Sequence, residues 1–365
     1  MSFEEIYIKN NVFKKKTDLE YNKEIIEEMN NSSLIKVKEL PNGLKSYNFS
    51  REVFFGDKFD SLNVKARGLF FYENGEVACR AYDKFFNVYF EKTDNEEADF
   101  QDTYIDNIKD KIKFPVVVYK KENGYLGMLS WNKVSNDWLI ATKSTTEGDY
   151  AQWFREILHK TNWLNDKVKK YIQDNNVTLI FECVDPFRDP HIITYYQEKV
   201  YLLDIVKNDL SGTFNDSTTN LRLVLEWGFH AEDYKELVAV FKDWEHLRDF
   251  LKSQDGTSLS NWKPLEDYET QNFIFSHYID TQVEGFVIRD SNGYMFKFKT
   301  GFYRFWKSLR PAMQMLQNGK KPNENRLDKA QLEVYNWLKE QPIDLIKTWS
   351  VIGMRNAYLN YIKNS

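Results

Sequence analysis

The sequence predicts an α+β protein in which a main domain built on antiparallel β-sheet precedes a small all-helical domain. Two patterns carry this prediction: short β-prone runs dominate residues 46–299, and helical periodicity replaces them from about residue 305. With 365 residues, 42% of them hydrophobic, the chain can also bury a large core. We therefore place a domain boundary between residues 304 and 305, giving a main domain at 1–304 and a helical domain at 305–365.

Charge and cysteine content narrow the class of protein. The net charge of −5 argues against a uniformly basic nucleic-acid-binding surface but allows a local basic cleft. Cys79 and Cys183 form neither a disulfide framework nor the spacing of a zinc site, which is typical of a reducing compartment. The N-terminus lacks a signal-peptide pattern, and no apolar run approaches the roughly 18 residues of a membrane span. We expect a soluble, cytoplasmic protein that has no membrane partner.

The elements of the main domain follow in chain order. A helix is predicted near residues 19–29, and the first strand is expected at 46–54. The Glu-Asn-Gly sequence at 73–75 separates two β-prone arms, and Asn-Gly in this position is the strongest short-range signal of a hairpin. Further strand-like runs lie at 115–120, 124–131, 137–143, 177–184, 198–206, 284–289 and 293–299.

Helical periodicity interrupts the strands twice. Residues 150–173 form one candidate helix, and residues 231–253 form another whose apolar side chains fall on one stripe. The stripe comprises Tyr234, Leu237, Val238, Phe241, Trp244, Leu247 and Leu251. Core packing explains it most simply, and Trp306 is also expected in the core. Three helix-like segments are expected after residue 305.

Two adjacent lysines end one of the β-prone runs, and either is a candidate nucleophile. Because side chains alternate along a strand, Lys120 and Lys121 point to opposite faces, so only one can enter a given cleft. Lys121 begins a Lys-x-x-Gly pattern that ends at Gly124, where glycine allows a sharp turn and a close backbone approach to a ligand. A second such pattern occurs at 65–68, and a lysine before a turn is most often simply solvated.

Charged residues in later β-runs distinguish the two patterns. Glu182 is an isolated acid in a β-run, Glu284 begins a later one, and Lys297 and Lys299 share one face of the run after that. The solvated face of an edge hairpin would explain any one of them. Taken in order after Lys121, however, they match a more specific signature.

This order of motifs resembles that of the covalent nucleotidyltransferases, which include ATP-dependent ligases and mRNA capping enzymes. Residues 66–71 and 81–87 narrow the resemblance to the phage RNA ligase 1 group and the fungal and plant tRNA ligases, because capping enzymes and DNA ligases lack its Lys-Phe-Phe-Asn element. The similarity extends from about residue 47 to 310. It implies an antiparallel-sheet, ATP-grasp-like nucleotidyltransferase domain. It also excludes Lys65 as nucleophile, since Arg67 matches the family's ATP-contacting arginine.

The resemblance implies a role for each matching residue. Lys121 would be the nucleophile, Glu284 would hold a metal ion, the lysine or both, and Lys297 and Lys299 would reach the α-phosphate. The implied nucleotide contacts are Arg67, Lys84 near the outer phosphates, Phe86 near the base or ribose, Glu122, Gly124, Lys143, and Glu182 at the ribose hydroxyls. Two positions depart from the phage pattern. Lys143 precedes its glycine at a different spacing, and Asn123 replaces an aspartate and matches the tRNA-ligase form.

The implied chemistry constrains Lys121. To attack the α-phosphorus of ATP its amine must be unprotonated, whereas a free lysine has a pKa of about 10.4. We expect neighbouring cations and partial desolvation to lower the pKa of Lys121, with Lys297, Lys299 and a metal ion as the candidate cations. The charge of the triphosphate implies Mg²⁺ or Mn²⁺ as the cofactor that accompanies ATP.

The function implied is that of an ATP-dependent RNA ligase that seals 5′-phosphate and 3′-hydroxyl RNA ends, with tRNA as one candidate substrate. The sequence has no P-loop motif for a 5′ kinase and only one His-x-Thr, where a two-histidine phosphoesterase needs a pair. Separate end-healing enzymes are therefore expected as partners. DNA ligation, guanylyl transfer and a non-catalytic RNA-binding module remain the alternatives.

A basic stretch follows the Lys-x-Lys motif. Between residues 291 and 311 there are five basic residues and no acidic one. Arg304, Lys307 and Arg310 recur every three residues and so lie near one helical face, where they could track an RNA backbone. The alternative is a solvated helix face.

Overall fold

The computed structural model describes residues 18–56, 58–90, 104–210, 216–255, 273–274 and 283–364. The chain divides into two units. The first unit comprises residues 1–84, 126–181 and 202–229, and the second comprises 85–125, 182–201 and 230–365. Both units combine antiparallel strands with helices, which confirms the predicted α+β class.

The first unit contains a four-stranded sheet in which each strand pairs antiparallel with the next. Its order is β1 (Ile35–Leu40), β2 (Leu44–Phe49), β3 (Leu69–Tyr72) and β4 (Val77–Arg80). The β3–β4 connection is the predicted Asn-Gly hairpin, and Gly75 adopts a φ of +90°, which favours glycine. The fully buried Met29 of α1 (Asp18–Asn31) packs in one cluster with Tyr47 and Phe71.

A second four-stranded sheet has the order β10-β9-β7-β8. Its strands are β7 (Tyr125–Asn132), β8 (Asp137–Ala141), β9 (Val177–Val184) and β10 (Lys199–Lys207). Strands β7, β9 and β10 each contribute residues to both units. The helices of the first unit after α1 are α2 (Arg51–Gly56), α3 (Asp149–Lys160), α4 (Asp166–Asn175) and α5 (Ser217–Glu226).

The second unit contains a six-stranded sheet of order β12-β11-β6-β13-β14-β5. The strands are β5 (Asn87–Val88), β6 (Val116–Lys121), β11 (Leu237–Phe241), β12 (Phe273–Ile274), β13 (Gly285–Arg289) and β14 (Met295–Lys299). All its pairings are antiparallel except β14 with β5. Val118, Ile288 and Phe298 share one core cluster with Leu247 of α6 (Trp244–Ser253), so this sheet buries one face against apolar side chains.

Four helices follow the last strand, one more than the sequence predicts. They are α7 (Gly301–Gln317), α8 (Lys329–Lys339), α9 (Ile343–Thr348) and α10 (Val351–Asn364). Trp306 is fully buried in their shared core, as expected. The Thr300 side chain accepts a hydrogen bond from the Tyr303 amide and so starts α7. This helix spans the boundary predicted between residues 304 and 305, which stays a prediction.

Three predicted elements are wrong in part. The strand expected at 46–54 stops at Phe49, because the Ser50 hydroxyl accepts from the Val53 amide and α2 begins there. The helix expected at 150–173 is two helices. Asn165 caps the second by accepting from the Lys167 and Val168 amides. Within the described residues, no helix is both long and apolar enough to cross a membrane.

The helix expected at 231–253 is wrong over its first half. Residues 237–241 form β11, which pairs with β6 and β12, and the helix begins only at Trp244. Asp243 sets this start, since its carboxylate accepts from the His246 amide. Tertiary strand pairing therefore overrides the helical periodicity that the stripe showed.

Candidate active site

Lys121 lies at the end of β6, beside the first residue of β13. Lys121 pairs with Gly285 across the two strands, and this register brings Glu284, the residue before β13, next to Lys121. The Lys121 Nζ is 2.8 Å from Glu284 Oε2. The Glu284 side chain is nearly inaccessible to solvent, so the contact is an ion pair in a low-dielectric setting.

Lys120 meets different carboxylates. Its Nζ lies 3.0 Å from Glu122 Oε1 and 3.7 Å from Glu236 Oε2. The two neighbouring lysines thus have separate partners, as expected for side chains on opposite faces of a strand.

The turn after Lys121 packs against β9. The Gly124 amide donates to Glu182 Oε1 at 2.9 Å. A Cβ on Gly124 would lie 2.0 Å from the Cys183 carbonyl oxygen, so no other residue fits this backbone approach. The Lys-x-x-Gly pattern therefore brings Lys121 and Glu182 into the same site.

The Lys-x-Lys motif lies on β14, the next strand of the sheet. Lys297 pairs with Val287 and Lys299 with Gly285, while Phe298 between them is buried, so the predicted shared face is confirmed. The Lys299 Nζ lies 3.9 Å from Glu284 Oε1. Burial lowers the pKa of Lys299 to about 8 against the opposing effect of Glu284, with Lys307 and Lys121 adding to the lowering.

As far as the protein's own groups are concerned, the predicted lowering of the Lys121 pKa is wrong in sign. Burial does lower it, but the carboxylates of Glu284 and Glu182 together outweigh burial, and the pKa of Lys121 is raised above its ordinary value. Burial raises the pKa of Glu182. The pKa of Glu284 is lowered, because Lys121, Lys299 and Lys297 overcome the effect of its burial. Lys121 is therefore a protonated ammonium here.

Sequence reasoning missed the hydrogen-bonding role of Asn123. Its Nδ2 donates to Glu284 Oε2 at 3.0 Å, the same oxygen that Lys121 contacts. The backbone N–H of Asn123 donates to the Tyr195 hydroxyl at 2.8 Å. This hydroxyl in turn donates to Glu122 Oε2 at 2.8 Å. The position of Asn123 inside the Lys-x-x-Gly motif was a usable signal for it. Nothing in the sequence around Tyr195 indicates this contact.

Arg67, Lys84 and Lys143 belong to the first unit. The Lys143 carbonyl accepts from the Gly68 amide at 3.1 Å, and Lys84 lies 5.5 Å from the centroid of the Phe59 ring. Partial burial lowers the pKa of Lys143 to about 8, together with the positive charges of Arg67 and Lys84. Lys143 keeps an exposed surface, so solvent screens part of this effect. These three residues, the cationic cluster, lie within electrostatic range of one another.

The structure places the remaining predicted residues as follows. Both oxygens of the buried Glu122 carboxylate are engaged, by Lys120 and Tyr195. The Phe86 carbonyl accepts from the Lys297 amide at 2.9 Å. Arg304 is mostly buried and pairs with Asp255, whereas Lys307 is exposed. Arg310 is half-buried. Lys65 pairs with Asp83 at 3.1 Å.

The acidic side chains fit a divalent cation only in company with phosphate. Among the described residues, no group of three or more His, Cys, Asp or Glu side chains could enclose a metal ion. Mg²⁺ is commonly held by one or two carboxylates plus the phosphates of a nucleotide. Glu284 meets that requirement, and Lys297 and Lys299 on the neighbouring strand suit an anionic ligand.

Comparisons with known proteins agree with the motif order. The family model described as RNA ligase matches residues 65–303. A tRNA ligase of Candida albicans is 26% identical over 352 residues, which cover 85% of this chain and 40% of that protein. This chain thus spans less than half the length of that relative.

Two solved structures are more weakly similar. An archaeal ATP-dependent RNA ligase is 12% identical with a TM-score of 0.48, covering 89% of this chain and 73% of that one. A Naegleria gruberi RNA ligase variant with ATP and Mn is 14% identical with a TM-score of 0.40, covering 56% of this chain and 55% of that one. Likenesses this weak do not bear on function. The family match covers more than half of the chain and includes Lys121, Glu182, Glu284, Lys297 and Lys299, and the chain belongs to the RNA ligase family.

Proposed function

We propose that this chain is an ATP-dependent RNA ligase that joins a 5′-phosphate to a 3′-hydroxyl RNA end through a lysyl-AMP intermediate. One observation carries the proposal: the Lys121 Nζ lies 2.8 Å from Glu284 in a chain of the RNA ligase family. Lys299 lies 3.9 Å from the other oxygen of the same carboxylate. A nucleophile, an acid and phosphate-binding cations therefore share one sheet.

The first step is adenylylation of Lys121. Its Nζ attacks the α-phosphorus of ATP, a P–N bond forms, and the bond from that phosphorus to the bridging oxygen breaks, so pyrophosphate leaves. The amine must first lose its proton, and the ion pair with Glu284, 2.8 Å away, keeps that proton on Lys121 until the charge of the carboxylate is offset. Glu284 and the triphosphate would hold a divalent cation, whose charge would offset both the phosphates and the carboxylate that raises the pKa of Lys121.

The next two steps transfer AMP to RNA and then release it. An oxygen of the RNA 5′-phosphate attacks the phosphorus on Lys121, the P–N bond breaks, and an RNA-adenylate forms. The 3′-hydroxyl then attacks the 5′-phosphorus and AMP leaves. Lys299, whose neighbouring cations favour an added anion, stabilises phosphate charge in these steps.

We assign further nucleotide contacts to the cationic cluster of Arg67, Lys84 and Lys143. Burial lowers the pKa of Lys143, the positive charges of Arg67 and Lys84 lower it further, and a bound phosphate would relieve that repulsion. The contacts assigned to Phe86 and Glu182 rest on the family resemblance. Glu122, with both oxygens engaged within the protein, is better suited to shaping the turn.

We assign RNA-backbone contacts to Lys307 and Arg310 of α7. Residues 301–365 contain eleven Lys and Arg against five Asp and Glu, whereas the whole chain has a net charge of −5. A phosphate backbone would thus meet a locally basic segment. Arg304, also expected on this face, pairs with Asp255 and contributes less.

The finer identities are also proposals. Either Mg²⁺ or Mn²⁺ suits an oxygen-rich site of carboxylate and phosphate. The tRNA ligase relative makes tRNA the first natural substrate to test. Separate end-healing enzymes and a cytoplasmic location rest on the sequence alone.

Labelled ATP tests the proposed function. Incubation of the protein with ATP labelled at the α-phosphate and a 5′-phosphorylated RNA should give both protein-AMP and sealed RNA. Labelled GTP in a parallel reaction tests guanylyl transfer, and a DNA strand tests DNA ligation. Failure to form protein-AMP with ATP in the presence of Mg²⁺ or Mn²⁺ would contradict the proposal.

A further inference from the structure

Arg355 of α10 is a buried arginine that holds a distant backbone segment. Only 1% of its surface is exposed. Its guanidinium donates to the Ile192 carbonyl and, at 2.6 Å, to the Thr194 hydroxyl. None of the carboxylates in the described part of the chain forms an ion pair with it, and burial lowers its pKa. A buried charge without a counter-ion needs satisfied donors, and the acceptors are the neighbouring Asn356 side chain and the distant residues 192–194.

The segment held by Arg355 in turn holds Asn123. The Ile193 amide donates to Asn123 Oδ1 at 3.3 Å, and the Tyr195 hydroxyl accepts from the Asn123 amide at 2.8 Å. Because Oδ1 is occupied by a donor, the NH₂ group of Asn123 faces Glu284, to which it donates at 3.0 Å. Hydrogen bonds and one short backbone segment therefore connect α10 to the carboxylate beside Lys121.

Building on the proposed function of Lys121, we propose that Tyr195 and Arg355 are positioning residues for its adenylylation. Lys121 and Asn123 donate to the same oxygen of Glu284. When the P–N bond forms, Lys121 loses its positive charge and with it the ion pair to Glu284, and Asn123 keeps the carboxylate in place. Asn123 can do so only while residues 192–195 hold it. The helices after β14 are thus required at the first chemical step, before RNA binds.

Removal of the Tyr195 hydroxyl is the smallest change that tests the hydrogen bonds between residues 192–195, Asn123 and Glu284. In Tyr195→Phe the ring stays, but the Asn123 amide and the Glu122 carboxylate both lose a partner. At saturating ATP, we expect the rate constant for protein-AMP formation to fall about tenfold or more, since small misplacements of reacting groups have effects of this size. The ATP concentration for half-maximal rate should change less than about twofold, because the cationic cluster is untouched.

Arg355 provides the second test. We expect Arg355→Met to lower the same rate constant and Arg355→Lys to restore part of it, because lysine can still donate to either Ile192 or Thr194. Arg326→Met is the matched control, because Arg326 is an exposed arginine that, like Arg355, follows β14 in the sequence. The rate constant for protein-AMP formation in this variant should equal that of the wild type. Thermal unfolding checks that each variant is folded.

The outcomes separate this inference from the proposed function. A wild-type rate constant in folded Tyr195→Phe overturns the positioning role and leaves the ligase function standing. A large rise in the half-saturating ATP concentration with an unchanged rate constant also overturns it, because it indicates a nucleotide-binding role. If Arg355→Met does not fold, Tyr195→Phe decides alone. Absence of protein-AMP in the wild type overturns both proposals.

Discussion

Each of the two units contains a partly buried lysine with a shifted pKa, and the pKa values of Lys143 in the first unit and Lys121 in the second move in opposite directions. In the first unit, partial burial and the charges of Arg67 and Lys84 lower the pKa of Lys143 to about 8. In the second, burial also lowers the pKa of Lys121, yet Glu284 and Glu182 raise it beyond its ordinary value. Burial acts in the same direction on both lysines, so the sign of the net shift depends on the neighbouring charges.

This difference separates two tasks of a lysine in phosphoryl chemistry. Lys143 lies among like charges, an arrangement that favours an incoming anion and needs no proton transfer. Lys121 is held charged by carboxylates and becomes a nucleophile only when that negative charge is offset. Under the proposed function, a ligand must therefore change the charge around Lys121 before the reaction starts, whereas the cationic cluster can receive an anion without such a change.

Replacement of Lys121, the proposed nucleophile, should have the largest effect on activity and tests its role in the comparison with Lys143. Lys121→Ala should abolish protein-AMP formation, a loss of more than about 10³-fold, because no other group can form the P–N bond. The measurement is transfer of label from ATP to protein. Lys120→Ala is the control and should retain most of the labelling, since Lys120 contacts Glu122 and Glu236 instead of Glu284.

A pre-adenylylated RNA separates the steps for the same variant. Lys121→Ala should still seal it, because the amine has no bond to form once AMP is on the RNA. Equal loss of labelling in Lys120→Ala and Lys121→Ala would contradict the separation of the two strand faces.

The next largest effect is expected from the turn that positions Lys121. In Gly124→Ala the new Cβ would lie 2.0 Å from the Cys183 carbonyl oxygen, so the backbone must move. We expect protein-AMP formation to fall about 100-fold or more, since a shift of about 1 Å at reacting groups can have that effect. Labelling rates and thermal unfolding measure the change.

Gly353→Ala is the matched control for that substitution. Its nearest neighbours would be 3.5 Å from the new Cβ, and it lies inside α10. Activity should be unchanged and stability should rise by about 0.5–1 kcal/mol, as for other helical glycines replaced by alanine. Wild-type activity in Gly124→Ala would show that Lys121 does not depend on the close approach of its turn.

A moderate effect, dependent on pH, is expected from the cationic cluster. Lys143 is charged below its pKa of about 8 and loses its charge as the pH rises through that value. The ATP concentration for half-maximal labelling should therefore rise about three- to tenfold between pH 7 and pH 9.5, because a phosphate-binding charge is lost. Bound ATP raises the pKa of Lys143, which shifts the change upward in pH.

Lys143→Met isolates this contribution. Its half-saturating ATP concentration should already be high at pH 7 and should vary less up to pH 9.5 than that of the wild type, with the remaining change due to Lys299, whose pKa is also about 8. A variant that keeps the full pH dependence of the wild type would assign the titration to another group and remove Lys143 from the nucleotide site.

The smallest effect is expected from the basic face of α7. Lys307→Glu combined with Arg310→Glu should weaken RNA binding about tenfold and reduce the slope of log affinity against log salt by about one to two, since each lost phosphate contact contributes roughly 0.7–0.9. Protein-AMP formation should be largely intact. Filter binding at several salt concentrations gives the slope.

A charge-matched control uses exposed lysines elsewhere in the same segment. Lys329→Glu with Lys347→Glu makes the same change in net charge. An equal loss of RNA affinity in both double variants would show that only overall charge matters and that α7 has no special role in RNA binding.

Local signals predicted much of the fold, and they failed where strand pairing decided the structure. The hairpin at 73–75 is predicted by its Asn-Gly sequence, and strand β9 is predicted by its run of β-prone residues. The segment at 237–241 has a helical stripe but becomes β11, because β6 and β12 flank it in the sheet. Both strands are too far from residues 237–241 in the sequence for a local pattern to reveal this pairing.

The candidate site was also predictable only in part. Lys121, Glu182 and Glu284 follow from the order of motifs, and β6 and β13 bring the first and last together. Tyr195 could not be found, since its hydroxyl meets Glu122 from 73 residues away without any local pattern. The raised pKa of Lys121 was also beyond reach, because it depends on distances that only the folded sheet sets.

The hydrogen bonds around Lys121 also have consequences for when activity appears during synthesis. Lys121 and Glu284 are 163 residues apart in sequence, and Ile192 and Arg355 are separated by the same number. A ribosome adds roughly 5–20 residues per second. In each pair, the second residue is therefore synthesised on the order of ten seconds or more after the first, and the contact can form only then. We expect a nascent chain that ends before α10 to carry Lys121 without its full support, and the ability to consume ATP to appear only after α10 has emerged from the ribosome.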